Sequence, residues 1–187
     1  NADEQYSNIE NAKSKGYNVL LLDGILDAHF ISTLEQKYGD CQFARVDSAS
    51  IDKLIEKEEE SKESKLNDEQ KESVKKAFEE IIDKTSFNVE FSNLNETDAP
   101  VEVIQNEFMR RMKEMSAMNG MSMWGGMPDS YTLMLNANNP VIAGLVDKNE
   151  EEQKNTIHQL YDLARLSKNL LKGKDLNEFV KRSFNEI

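Results

Sequence analysis

Residues 56–65 (EKEEESKESK) contain no apolar side chain, and this run constrains the chain more than any other feature. A segment with nothing to bury is a solvated helix or a linker and does not pass through a core. A chain of 187 residues suffices for one mid-sized domain or two small ones. The run therefore divides it into a lobe over 1–55, an acidic linker or solvated helix over 56–66, and a larger domain over 67–187.

In the first lobe, residues 3–15 predict the end of a helix closed by Gly16. Tyr17 to Leu22 is a short apolar run ended by Asp23-Gly24, the pattern of a strand buried on both faces in a parallel sheet. Leu26, Phe30 and Leu34, four apart, predict a helix over 25–38, and Cys41 to Val46 a second strand. Strand, helix and strand in this order imply a right-handed crossover and a small α/β lobe.

In the larger domain, Asn67 caps a helix running to about Lys84, with Val74, Phe78, Ile81 and Ile82 on one face. Phe87 to Phe91 alternates as a half-exposed strand. Asp98 followed by Pro100 reads as a helix start, and that helix carries Ile104, Phe108, Met112 and Met115 in one stripe. Residues 119–130 form a glycine-rich loop, Tyr131 to Leu135 a strand, and Asn136 to Pro140 a turn into a short helix. Residues 150–172 predict a long helix ended by Gly173, and Asp175 caps a last helix with Glu178 in a box-like pairing.

Composition narrows the function. The net charge of −12 disfavours a nucleic-acid partner and docking on an anionic membrane. No apolar run reaches the roughly 18 residues of a membrane span. The single Cys41 makes no internal disulfide, which suits a reducing cytoplasm. There is no phosphate-binding glycine loop, no zinc spacing and no nucleophile elbow. Cys41 with His29 is the one conceivable nucleophile and base, and a small core cysteine is the simpler reading. Glu58, Glu59 and Glu60 lack the spaced ligands and turning glycine of a calcium loop. A competing view, a small α/β ligand-binding or enzyme domain, has only Asp23, Asp27 and Asp47 at its strand ends.

All eight methionines lie between Met109 and Met134. Ordinary packing accounts for a methionine stripe, but here the apolar character continues into a glycine-rich loop with Met121, Met123, Trp124 and Met127. Adaptable thioethers on a surface suit varied apolar partners. The two terminal helices raise a related question. Their wide apolar arcs, with Leu160, Leu163, Ala164, Leu166 and Leu170 on one and Leu176, Phe179, Val180 and Phe184 on the other, exceed what one neighbouring domain covers. A second copy of the same pair would complete an intermolecular four-helix bundle with two-fold symmetry, the alternative being a helical hairpin folded fully back onto its own domain.

The ordered set of features resembles the C-terminal end of the heat-shock ninety-kilodalton chaperone family, in its bacterial form. The residues that carry this are Tyr17 to Leu22 with Asp23-Gly24-Ile25-Leu26-Asp27, then Thr132 to Asn136 with Asn139-Pro140-Val141-Ile142, and Leu160-Tyr161-Asp162 with Ala164, Leu166 and Ser167. The resemblance implies an ATP-driven homodimeric chaperone, of which this chain holds the tail of the middle domain and the C-terminal dimerisation domain. ATP and magnesium would belong to the parent protein, leaving no catalytic residue, metal or cofactor here. It also implies two patches for nonnative client proteins, one at Ala28, His29 and Ser32 and one at Ile104, Phe108, Arg111 and Met112. The methionine argument adds Met115 and Trp124 to the second. Ala28 and His29 stand where relatives can carry an acidic residue and a Trp, and Arg111 replaces an apolar residue. The acidic tail by which eukaryotic cytosolic members recruit helical-repeat cochaperones is absent, so that partnership is not expected.

Overall fold

The computed structural model describes residues 5–14, 16–22, 24, 26–40, 43, 45–46, 63–105 and 130–185. Most of the acidic run, Cys41, and the segment 106–129 with Phe108, Arg111, Met112, Met115 and Trp124 lie outside the described residues.

The first lobe begins with α1 (Tyr6–Ser14), which buries Ile9 and Ala12. Gly16 closes it at φ +81°, its N–H donating to the Lys13 carbonyl while the Tyr17 N–H reaches that of Ala12. This paired ending needs a left-handed residue, which glycine supplies without strain. Helix α2 (Asp27–Lys37) follows, with the Asp27 carboxylate accepting from the Gly24 N–H at 2.6 Å. The two expected strands are corrected by the structure. Residues 17–22 are not a strand, and Leu20, Leu21 and Leu22 are 66%, 70% and 46% exposed. Phe43 and Arg45 are likewise outside any strand. A parallel strand needs a hydrogen-bonded neighbour on the sheet, and among the described residues of this lobe none pairs with the run. Among the described residues before 63, α1 and α2 are the regular elements, and the sheet of this mixed α/β chain lies within residues 87–136.

There the sequence builds α3 (Asp68–Glu79) from a full capping box. Asn67 Oδ1 accepts from the Gln70 N–H at 2.8 Å and the Gln70 side chain accepts from the Asn67 N–H at 3.0 Å. Strands β1 (Phe87–Ser92), β2 (Val101–Gln105) and β3 (Tyr131–Asn136) form a sheet of order β1-β3-β2. The central β3 runs parallel to β1, with Leu133 opposite Val89, and antiparallel to β2, with Leu133 opposite Val103.

Strand β2 overturns the helix expected from Asp98 and Pro100. Asp98 is spent on its own turn, where its carboxylate accepts from the Asn95 N–H at 2.9 Å, so it caps nothing downstream. Val101, Val103 and Ile104 are β-branched, and the burial of Val101 and Val103 follows the two-residue period of a strand. Ile104 pairs with Thr132 and is half-buried.

After β3, α4 (Pro140–Ala143) and a 3-10 turn (Gly144–Asp147) lead into α5 (Glu150–Ser167) and α6 (Gly173–Asn185). Helix α5 stops short of the expected end at Gly173. Asn169 takes a left-handed conformation at φ 56°, its N–H donates to the Leu166 carbonyl, and the Leu170 N–H reaches that of Arg165. Asparagine tolerates that region, so it ends α5 and leaves Gly173 to open α6. Asp175 therefore sits inside the first turn of α6 rather than capping it.

One face of the sheet and the helices around it share a single core. Val74 and Phe78 of α3, Leu133 and Leu135 of β3, Ile142, Leu145 and Ile157 are fully buried in it, with Leu160, Tyr161 and Ala164 at its α5 side.

Candidate interaction surface of the terminal helices

The approach to the terminal helices is held by three asparagines, Asn136 at the end of β3 and Asn138 and Asn139 after it. Asn136 Nδ2 donates to the Asn95 carbonyl at 2.8 Å, and its Oδ1 accepts from the Asn138 N–H at 3.1 Å. Asn138 Nδ2 donates to the Leu94 carbonyl at 3.2 Å, while its Oδ1 takes the Lys65 N–H at 2.9 Å. Asn139 donates to the Glu96 and Asp98 carbonyls, and its Oδ1 caps α4 through the Val141 N–H. All three are buried, and their amides supply the backbone partners that water would otherwise provide. Asn149 then caps α5 through the Glu152 N–H at 2.9 Å.

Helix α5 is oriented by aromatic and ionic contacts. The Phe87 ring stacks on Tyr131 at 5.3 Å and meets Tyr161 edge-on at 5.4 Å. The Arg165 guanidinium lies over the Tyr161 ring at 5.0 Å. Burial pushes the Tyr161 hydroxyl above its ordinary pKa, with a backbone hydrogen bond at Asp83 opposing it. Asp83 is itself lowered by hydrogen bonds from the Thr85 and Ser86 side chains.

Arg165 also joins the two helices. Its Nη1 contacts Asp162 Oδ1 at 3.3 Å and its Nη2 contacts Asp175 Oδ2 of α6 at 2.7 Å. Arg182 of α6 reaches back to the other Asp162 oxygen. Asp162 is the one buried carboxylate among the described residues, and it is held between two guanidinium groups. Neither this cluster nor the asparagine bracket was anticipated from sequence. The available signals were Asp162 set inside an apolar arc and the crowding of asparagines in Asn136-Ala137-Asn138-Asn139.

The residues expected to meet a second copy fall into two groups. Leu160, Ala164 and Phe179 are buried within the chain, and Leu170 and Leu176 are partly buried. Leu163, Leu166, Val180 and Phe184 are exposed, with Phe184 at 73%. The terminal pair is thus anchored by one arc and leaves another bare.

The expected client residues are dispersed. His29 and Ser32 are exposed on α2, beside Leu26 and Phe30, which are also exposed. Ala28 lies on the same helix. Ile104 is on β2. Among the described residues, no group of three or more His, Cys, Asp or Glu could hold a metal ion, and no helix is long and apolar enough to cross a membrane.

A family model described as Hsp90 protein matches residues 2–187. The chain is 37% identical over 256 aligned positions to the chaperone protein HtpG of Bacteroides thetaiotaomicron, covering all of this chain and 37% of that protein. It is 35% identical to HtpG of Bacteroides fragilis strain 638R with the same coverage. Against HtpG of Porphyromonas gingivalis it is 42% identical over 160 positions, covering 83% of this chain and 23% of the relative. The chain spans little more than a third of the length of the relatives that it matches throughout.

Proposed function

Because the chain belongs to the Hsp90 family, we propose that it serves as the homodimerisation and client-contact part of an ATP-dependent molecular chaperone of the bacterial type, acting in the cytoplasm. In this reading ATP and magnesium work elsewhere in the parent protein, and this part contributes no catalytic residue. Helices α5 and α6 of two chains pack into a four-helix bundle.

The observation that supports the dimer is the bare arc formed by Leu163, Leu166, Val180 and Phe184 on helices whose other arc is buried. Large apolar side chains grouped on a helix pair at this exposure mark an interaction surface. A two-fold pair uses the same patch twice, so one self-complementary surface suffices. Sedimentation velocity over a concentration series tests this. A mass near twice 21.4 kDa is expected for the chain, with Val180→Glu monomeric at the same concentrations. A chain that stays monomeric at high concentration would refute the dimer.

Client contact rests on the α2 side chains at Ala28, His29 and Ser32, and on Ile104, Phe108, Arg111, Met112, Met115 and Trp124. Its support is the exposed apolar character of α2 and the methionine-rich composition after β2. The double variant Phe108→Ala with Met112→Ala is expected to dimerise normally and to bind a reduced, unfolded model protein more weakly. Equal affinity would remove the second patch from the proposal.

A further inference from the structure

We propose that Arg182 is a positioning residue for self-association: its pairing with Asp162 sets the rotation of α6 about its own axis and so decides which side chains face outward. The inference rests on the dimer reading above and adds to it the device that presents the surface.

The geometry is that of a helix gripped along one flank. Asp175 and Arg182, seven residues apart, lie two turns from each other on the same side of α6. Both are tied to α5, Asp175 to Arg165 at 2.7 Å and Arg182 to Asp162. Phe179 lies between these grips and inserts into the chain, and Ser183 follows it by four residues. Val180 and Phe184, also four apart, fall on the opposite flank, and both are exposed. Turning α6 by one residue, about 100°, would carry Val180 toward α5 and Phe179 toward water.

Phe179 alone does not fix that angle, because one apolar anchor tolerates rotation by a neighbouring residue of similar size. Two ion pairs spaced along the helix do fix it, and the inner one ends on a buried carboxylate shared with Arg165. Asp162 is 7% exposed, so losing Arg182 leaves a buried charge held by Arg165 alone. The setting reaches the sheet, since Arg165 rests on Tyr161 and Tyr161 meets Phe87. A chain of charge and ring contacts therefore runs from β1 to the flank of α6 that faces α5.

The test compares the full chain with Arg182→Met, which keeps bulk without charge, and Arg182→Lys, which keeps charge without the fork geometry. Dissociation constants come from sedimentation equilibrium, and thermal midpoints from circular dichroism at concentrations where each chain is a monomer. For Arg182→Met the expected result is a dissociation constant raised about tenfold or more, with Arg182→Lys within about threefold of the unchanged chain. A residue serving stability alone would lower the midpoint and leave the association of the folded chain as it was, and that result overturns the proposal. So does an equal loss in both variants. If Arg182→Met loses its helical signal, Asp175→Asn decides, because it removes only the outer, half-exposed grip. A weakening of a few fold supports the proposal, and unchanged association overturns it. A monomeric unchanged chain refutes the dimer reading itself and the positioning role with it, whereas a dimer indifferent to Arg182 refutes the positioning role alone.

Discussion

Phe179 and Phe184 sit five residues apart on one helix, and truncating each to alanine should produce opposite kinds of damage. Phe179 is 7% exposed and Phe184 is 73% exposed in the single chain. Phe179→Ala empties a filled site, which costs about 3–5 kcal/mol of folding stability. Phe184→Ala removes a side chain that mostly faces water, so folding of the single chain should change by no more than about 0.5 kcal/mol. Its cost appears on association. A phenylalanine side chain offers about 150–250 Å², of which truncation at this exposure forfeits roughly 100 Å² of apolar contact. At about 25 cal/mol per Å² that is roughly 2.5 kcal/mol per copy, and roughly 5 kcal/mol for two copies across a two-fold axis. Full coverage at the interface then predicts a dissociation constant raised roughly 4,000-fold, and half coverage roughly 60-fold. Sedimentation equilibrium measures the association, and urea unfolding below the dissociation constant measures folding without a contribution from mass action. If Phe184→Ala melts the single chain as Phe179→Ala does, the division into an anchored and a bare arc is wrong. If it leaves association unchanged, α6 does not meet a second copy through this flank.

Two further changes probe what holds the helices in place. Asn138→Ala strips partners from the buried Leu94 carbonyl and the part-buried Lys65 N–H, and should cost about 1–3 kcal/mol in urea unfolding; a loss below about 0.5 kcal/mol would mean that water replaces the amide without penalty. Tyr161 is held neutral by burial, so the folded chain keeps its phenolic proton more tightly than the unfolded chain does. Its contribution is complete below the ordinary tyrosine value near 10 and is lost as pH rises through the higher folded value. Unfolding free energy measured from pH 8 to 11 should therefore fall more steeply for the unchanged chain than for Tyr161→Phe, and parallel curves would contradict the stated cause.

Two apolar runs show what periodicity can and cannot supply. Leu20-Leu21-Leu22 and Leu133-Met134-Leu135 look alike in sequence. The second became the central strand because Val89 and Val103 flank it on both sides, and the first is exposed for want of such neighbours. Apolar content says that a segment seeks cover and is silent about which segment provides it. The same limit produced the error at Asp98 and Pro100, whose types suit a helix start, whereas Asp98 closes a turn with Asn95 and the Pro100 carbonyl accepts from the Asn136 N–H of β3. The Asn67 cap of α3 was legible, since it acts within four residues, whereas Asp175, read in the same way, lies inside the first turn of α6. On the terminal helices, spacing identified the apolar residues but could not rank the arcs, because core and interface share one chemistry. The Asp162 cluster was hidden for a different reason. Its partner Arg182 is on another helix, and only the turn at Asn169 brings the two into register.

The sheet order carries a consequence for how the chain is made. Among the described residues, strands β1 and β2 do not pair with each other, and each pairs with β3, which emerges from the ribosome after both. No part of this ladder closes until β3, beginning at Tyr131, is synthesised, and such non-local pairing is the slow kind. The bare apolar flank of α6 is made later still, at residues 180–184. Synthesis order thus places the surface that would recognise a second copy after every strand needed to seat it. In the proposed dimer, a nascent chain still assembling its core has not yet made Val180 and Phe184, so this flank cannot pair with a neighbouring nascent chain until the strands exist.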